Sequence, residues 1–317
     1  MHYIVLDLEW NQCPFGKARE DRRLPFEIIE IGAVKLNEKK EIVDTFHELI
    51  KPVVYRQIHF RTREIISLSI KDLDKGRLFP EAAADFLAWC GEDARFCTWG
   101  TLDLTELQRN LTYYNMDGAI KTPLFYEDVQ KLFAIAYEER STRRALQYAV
   151  EFLKIAEDGD FHEALMDAVY TARVLKFIPD EVISRNYSVD YYKTPTGRDD
   201  ELKIRYGTYE KYITRGFPTK EAVMEDKEVR ALRCFACGRS ARQRIRWFSD
   251  YGKNYLSVGW CEEHGFVKGK VRLRRNEQGQ VFAVKTTRLM TPEEADAVIA
   301  RHRTLQERRT RKRHAGS

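Results

Sequence analysis

The first 180 residues alternate between two rhythms of apolar and polar positions. Tyr3-Ile4-Val5-Leu6 is an unbroken apolar run that meets acids at Asp7 and Glu9, so residues 3–9 predict a buried strand. Residues 28–36 and 42–50 predict two more strands. The polar turn Asn37-Glu38-Lys39-Lys40 between them predicts an antiparallel hairpin. Pro80 opens a predicted helix through Trp89, because proline is tolerated in a first turn. Residues 94–99 predict a short strand and 102–114 a helix, with further helices near 127–137, 142–154 and 161–177. A meander followed by alternating strands and helices predicts an α/β fold, a mixed sheet with helices on its faces.

The pattern changes at 181. Residues 181–230 mix aromatic, basic and turn-forming residues without clear period, which reads as a linker or adaptor with some helix. Residues 231–290 predict two hairpins around a group of cysteines, a small β domain. Thr291-Pro292-Glu293-Glu294 then predicts the start of a last helix, with Thr291 as N-cap, Pro292 in the first position and Glu294 closing a capping box. Residues 291–317 are a basic helix and tail, expected to fray from Arg308 to His314. No internal repeat is evident.

Length and charge sharpen this division. A chain of 317 residues is long enough for two domains, and 43% hydrophobic with 32% charged residues describes a folded globular protein. No apolar run approaches the ~20 residues that span a bilayer, so no membrane association is expected. The N-terminus lacks the basic segment of a signal peptide, and a cytoplasmic location is the expectation. Residues 1–180 hold 24 basic and 31 acidic side chains, a net charge of −7, whereas 181–317 carry +12. An acidic half and a basic half suggest that one concentrates carboxylates while the other meets a polyanion.

Three elements carry candidate chemistry. Asp7 and Glu9 are two apart on a strand, so they share a face with Tyr3 and Val5. That face is apolar until it ends in two acids, which fits a buried strand presenting carboxylates at the sheet edge, where α/β folds bind ligands. Asp103 follows a strand and the Gly100 turn, at or just inside a helix start; alone it reads as an acid favouring the helix dipole. In Asp160-Phe161-His162-Glu163-Ala164-Leu165-Met166-Asp167-Ala168, a capping box of Asp160 with Glu163 would put His162 in the first helical turn and Asp167 about one and a half turns further in. Asp167 is a poor surface choice within an Ala/Leu/Met/Val-rich helix.

Together, D-x-E on a first strand, an Asp after a central strand, and H-x-A-L-x-D-A on a late helix resemble the DEDDh family of 3′–5′ exonucleases over about residues 1–180. Ile28-Ile29-Glu30-Ile31-Gly32-Ala33-Val34 extends the resemblance. Asp7-Leu8-Glu9-Trp10-Asn11 is similar to a bacterial group of exonuclease-domain proteins, some named after a sporulation-inhibitor relative. The resemblance implies a ribonuclease-H-like fold and a catalytic set of Asp7, Glu9, Asp103, His162 and Asp167, all of the expected type. It implies that Asp7, Glu9 and Asp167 hold one Mg²⁺ or Mn²⁺, that Asp7 bridges to a second such ion held by Asp103, and that His162 is the general base. The physics agrees. Two unit charges 4 Å apart repel by about 4 kcal/mol at an effective dielectric near 20, so four clustered carboxylates require cations. Oxygen ligands suit Mg²⁺ or Mn²⁺, and an imidazole titrates near neutral pH. Trp10 reads either as a ring for the terminal base or as core packing.

In the second half, Cys234-Phe235-Ala236-Cys237-Gly238 and Cys261-Glu262-Glu263-His264-Gly265 give a C-x₂-C … C-x₂-H arrangement. Four ligands with no open position predict one structural Zn²⁺ in a zinc-ribbon-like domain; a redox C-x-x-C and ordinary core cysteines are the alternatives. Arg239, Arg242, Arg244 and Arg246 lie near Trp247, Phe248 and Tyr251. Lys268, Lys270, Arg272 and Arg274 alternate along one predicted strand as a basic stripe for a phosphate backbone, with the aromatics available to stack on bases. The combined expectation is a metal-dependent 3′–5′ exonuclease releasing nucleoside 5′-monophosphates from a single strand with a free 3′ end, RNA being carried forward over DNA. A catalytically silent zinc adaptor for nucleic acid is the alternative.

Overall fold

Strand β1 (His2–Gln12) is central because Ile4, Val5, Leu6 and Leu8 make both of its faces apolar. The structure is a computed structural model. It describes residues 2–66, 68–139, 142–250, 252 and 254–314, which divide into two units, one through Tyr191 and one from Tyr192.

In the first unit β1 is followed by β2 (Phe26–Leu36), β3 (Ile42–Leu49), α1 (Phe60–Ile65), α2 (Ile70–Leu73), α3 (Phe79–Cys90), β4 (Ala94–Thr98) and α4 (Leu102–Tyr113). Next come β5 (Phe125–Asp128), α5 (Val129–Tyr137), α6 (Leu146–Phe152), α7 (Ala164–Phe177), α8 (Asp180–Arg185) and β6 (Ser188–Val189). The sheet order is β3-β2-β1-β4-β5-β6. β1, β2 and β3 form the antiparallel meander, β4 runs parallel to β1, β5 runs parallel to β4, and β6 is antiparallel to β5. This is the expected mixed sheet of a ribonuclease-H-like fold. One core gathers Ile4, Leu6 and Leu8 with Phe86 of α3 and Leu104 and Leu107 of α4. The other gathers Val5 with Leu132 and Phe133 of α5, Val150 of α6 and Tyr170 of α7. Each fully buried side chain of this size contributes about 1.5–3 kcal/mol, so β1 is pinned from both sides.

Asn11, fully buried, fixes the far end of β1. Its amide donates to the Tyr55 and Gln57 carbonyls at 2.9 Å, and its oxygen accepts from the His59 N–H at 2.9 Å. On β2, Glu27 accepts the N–H groups of Val53, Val54 and Tyr55 at 2.7, 2.9 and 2.7 Å. Glu27 and Asn11 thus hold the loop of residues 53–59 against the sheet.

The second unit contains β7 (Leu202–Arg205), β8 (Tyr209–Ile213), α9 (Lys220–Glu225), α10 (Lys227–Arg230), β9 (Arg242–Asp250), β10 (Asn254–Cys261), β11 (Gly265–Arg275), β12 (Val281–Leu289) and α11 (Pro292–His314). Its antiparallel sheet has the order β7-β8-β12-β11-β10-β9. The β domain is therefore broader than the expected 231–290. The stretch 181–230 is not a separate linker: α8 and β6 belong to the first unit, while β7 and β8 extend the second sheet through β12. The capping box at Thr291 is present, with Glu294 N–H to Thr291 Oγ1 at 3.3 Å and Thr291 N–H to Glu294 Oε2 at 3.1 Å. The helix is described as far as His314. Among the described residues no helix is long and apolar enough to cross a membrane.

Candidate active site

Asp7 and Glu9 follow Val5 on the face of β1 that meets α7, where the apolar core gives out. Asp103 is the second residue of α4 and is buried. Asp167 is buried in the first turn of α7. All four line one cleft of about 490 Å³, together with Trp10, Trp99, Gly100, Leu102, Gln130, Leu146 and His162.

Electrostatics are severe there. Burial first, then Asp103, Asp167, Glu9 and Glu30, hold the Asp7 carboxyl well above the usual carboxylate range. Burial and Glu30, with Asp167 and Asp103 behind them, push Glu9 to about 8. Asp103 is raised to about 7, chiefly by burial, although backbone N–H groups including that of Leu8 oppose the shift. Burial also raises Asp167, against the opposing influence of His162. Asp167 Oδ2 accepts the His162 N–H at 3.3 Å, while Asp167 Oδ1 is buried with no hydrogen-bond partner. Such an orphan in a ring of acids is expected of a group shaped for a cation. Hard oxygen donors of this kind fit Mg²⁺ or Mn²⁺.

His162 departs from the expected local structure. It lies outside the helix, exposed, with φ of +69°, a backbone region closed to helical residues; α7 begins only at Ala164. The Asp160–Glu163 capping box does not form: Glu163 is the N-cap and makes no side-chain cap bond. Asp167 Oδ2 instead accepts the N–H of His162, two residues before the helix starts. The imidazole, Glu9 and Asp167 nonetheless converge, each offering a ligand atom within 4.8 Å of the others.

Trp10 packs against the core and also borders the cleft. β1 continues past it with a register irregularity between Glu9 and Trp10, and its ring packs on Phe26 at 5.7 Å while also lining the cleft. The sequence reading missed Glu30, 4% exposed and opposite Glu9 in the β1–β2 ladder. An acid inside Ile28-Ile29-Glu30-Ile31 was the available signal.

In the second unit the ligand atoms of Cys234, Cys237, Cys261 and His264 all lie within 4.8 Å of one another. Cys237 Sγ is 3.7 Å from Cys261 Sγ, which is 3.8 Å from His264 Nδ1. A tetrahedron with Zn–S arms of about 2.3 Å has edges near 3.7 Å, so the donors fit zinc. Gly238 and Gly265, at φ of +74° and +78°, turn the chain after each pair. The His264 hydrogen bond lowers Cys261 to about 6.

Lys268, Lys270, Arg272 and Arg274 share one face of β11, the alternate positions being buried. Lys270 and Arg272 are exposed, whereas Lys268 and Arg274 are half-buried. Two of the three nearby aromatics, Trp247 and Phe248, are engaged in packing. Trp247 packs over Gly269 and donates Nε1–H to the Arg230 carbonyl at 2.9 Å, and Phe248 is buried. Arg242, Arg244 and Arg246 are exposed, Arg239 pairs with Glu263 at 3.3 Å, and Tyr251 lies outside the described residues.

Comparison with known proteins bears on the first unit. The family model described as Exonuclease (RNase_T) matches residues 5–175. A Bacillus subtilis (strain 168) protein named "Probable 3'-5' exonuclease KapD" is 25% identical over 183 residues, covering 56% of this chain and 84% of that one. The nuclease domain of 3'hExo, described as a DEDDh family member bound to rAMP, superposes with a TM-score of 0.50 at 19% identity, covering 59% of this chain and 96% of its own. A full-length 3'-exonuclease structure gives 0.46 at 21% identity, covering 55% and 80%. The likeness to the 3'hExo nuclease domain is one of fold.

Proposed function

This chain belongs to the exonuclease (RNase_T) family as a 3′–5′ exonuclease, and from that premise we propose that it removes nucleoside 5′-monophosphates from single-stranded nucleic acid, RNA ahead of DNA. The observation that carries this reading is the convergence of Asp7, Glu9, Asp103, Asp167 and His162 on one cleft. Asp7, Glu9 and Asp167 would hold one Mg²⁺ or Mn²⁺, with the orphaned Asp167 Oδ1 as a ready ligand. Asp7 would be shared with a second ion near Asp103. When bound, two such ions supply charge compensation for the attacking and leaving oxygens of an in-line displacement.

The remaining chemistry falls to the chain. His162 takes the proton of the attacking water, and its exposure lets it pass that proton to solvent. Asp167, bonded to the His162 N–H, holds the imidazole-bearing segment over Glu9. Trp10 offers an aromatic wall to the terminal base. The Cys234, Cys237, Cys261 and His264 cluster would hold a structural Zn²⁺, and Lys268, Lys270, Arg272 and Arg274 would attract the polyanionic strand.

Matched degradation of end-labelled single-stranded RNA, single-stranded DNA and duplexes with Mn²⁺ tests the proposal. Mononucleotide release from the 3′ end, faster on RNA and lost in Asp7→Ala, is expected. Binding of either strand without release would favour the adaptor role instead.

A further inference from the structure

β2 brings a fifth carboxylate against the acidic cluster. Glu30 is buried and lies directly opposite Glu9, so the two side chains share a face. Like charges opposed on an antiparallel pair destabilise it, the more so out of water. The two acids are treated differently. Among the described residues Glu9 has no ion pair, whereas Glu30 Oε1 lies 2.7 Å from His47 Nε2. His47 stands half-exposed on β3, opposite Gly32 in the β2–β3 ladder. The Glu30 hydrogen bond raises the imidazole above its ordinary range. Partial burial opposes this, and Glu48 on β3 and Glu163 ahead of α7 assist it. Glu27, three residues before Glu30, meets its need differently, through three backbone N–H groups.

We propose that His47 is a positioning residue for the metal-binding carboxylates: it holds Glu30 toward β3 and so keeps a fifth acid out of the cation site at Glu9. The inference rests on the metal-dependent reading above. A carboxylate in that location, once released, would act as an additional oxygen ligand. Cation binding would then tighten, and turnover would fall because a ligand position needed by the reacting oxygens is taken. A residue that merely supported the fold would weaken both together.

The test uses the full-length protein, with direct Mn²⁺ binding followed by the electron paramagnetic resonance of free Mn²⁺ and turnover followed on an oligonucleotide. His47→Ala is expected to bind Mn²⁺ about tenfold more tightly and to turn over about tenfold more slowly, an effect of the size, though for affinity of opposite sign, of losing a partner behind a metal ligand. His47→Gln, whose amide still donates to Glu30, should restore both. Adding Glu30→Gln to His47→Ala should return Mn²⁺ affinity to that of Glu30→Gln alone. Should the alanine variant melt early, His47→Leu fills the space without a donor and repeats the measurement. Unchanged or weakened Mn²⁺ binding in a folded His47 variant overturns the inference. A wild-type protein that binds no Mn²⁺ and releases no nucleotide overturns instead the reading on which it rests.

Discussion

Gly32 lies directly against the peptide that joins Ala164 to Leu165. A Cβ at Gly32 would come within 2.1 Å of both the Ala164 carbonyl carbon and the Leu165 nitrogen. Gly32 also pairs with Asp7 in the β1–β2 ladder. The missing side chain therefore lets the first turn of α7 settle onto the sheet beside Asp7, and that turn carries Asp167.

Gly32→Ala should accordingly damage the site more than the fold. The obstructing atoms are backbone, so α7 must move rather than a side chain rotate. Overpacking of this kind costs about 1–3 kcal/mol, and a displacement near 1 Å in a reacting constellation costs about 100-fold in rate. A lowered melting temperature with about 100-fold loss of nucleotide release is expected. Near-normal turnover would mean that Asp167 does not depend on this contact.

The acidic cluster makes stability depend on pH in an unusual direction. Glu9 at about 8 and Asp103 at about 7 are raised above their unfolded values, as are Asp7 and Asp167. Groups raised in this way favour the folded state below the unfolded pKa, and that contribution is lost as pH climbs through the folded pKa. In chelator the melting temperature should fall between about pH 4.5 and 8. A divalent ion competes for the same oxygens, and at 100 times its dissociation constant adds about 2.7 kcal/mol. Stabilisation by Mn²⁺ should therefore grow with pH; a metal effect constant from pH 5 to 8.5 would contradict the cluster.

Much of this was legible in the sequence because it is local or periodic. Asp7 and Glu9 share a strand face by alternation alone, and Asp103 follows a strand and a glycine turn. What escaped is long-range. Nothing near Glu30 reveals that its neighbour across the ladder is Glu9, or that His47 answers it from a third strand. Tyr209–Ile213 joins β12, some seventy residues later, and so was not visible as part of a sheet. Trp247 and Phe248 look like stacking surfaces in the sequence, but the fold packs Trp247 against Gly269 and buries Phe248. The capping box at Asp160 failed because His162 takes a positive φ, a tertiary choice that overrides local propensity.

His162 stands close enough to Glu9 and Asp167 to serve either as base or as ligand, and one variant separates the two. As the base, His162→Ala loses about 10²–10⁴-fold in kcat while Mn²⁺ affinity stays within about threefold. A matching collapse of Mn²⁺ binding would reassign the imidazole to the metal. Isothermal titration and single-turnover kinetics on the same preparation distinguish these outcomes.

The second unit should depend on its own metal. Cys234 and Cys261 lie in a small core with Leu232, Ala241 and Val267, too few side chains to order both turns unaided. Elemental analysis should find one zinc per chain, and Cys237→Ser or chelation should lower the melting temperature of residues 192–317 while leaving that of the exonuclease unit. An unshifted transition in zinc-free protein would return the cysteines to ordinary packing.

The basic stripe gives a test that distinguishes a nucleic-acid surface from a solvated strand face. Lys270 and Arg272 are exposed, two residues apart on β11, while Lys268 is partly sunk and its ammonium is disfavoured by burial and by Arg288. The two outer side chains therefore carry most of any phosphate contact. Each such contact to a single strand contributes about 0.7 to the slope of log K against log salt. Replacing both by alanine should lower that slope by about 1.4 and weaken oligonucleotide binding regardless of base sequence. Hydrolysis of a small nucleotide ester should be untouched, because the ester has no run of phosphates for a basic stripe to attract. An unchanged salt slope would leave these side chains serving solubility alone.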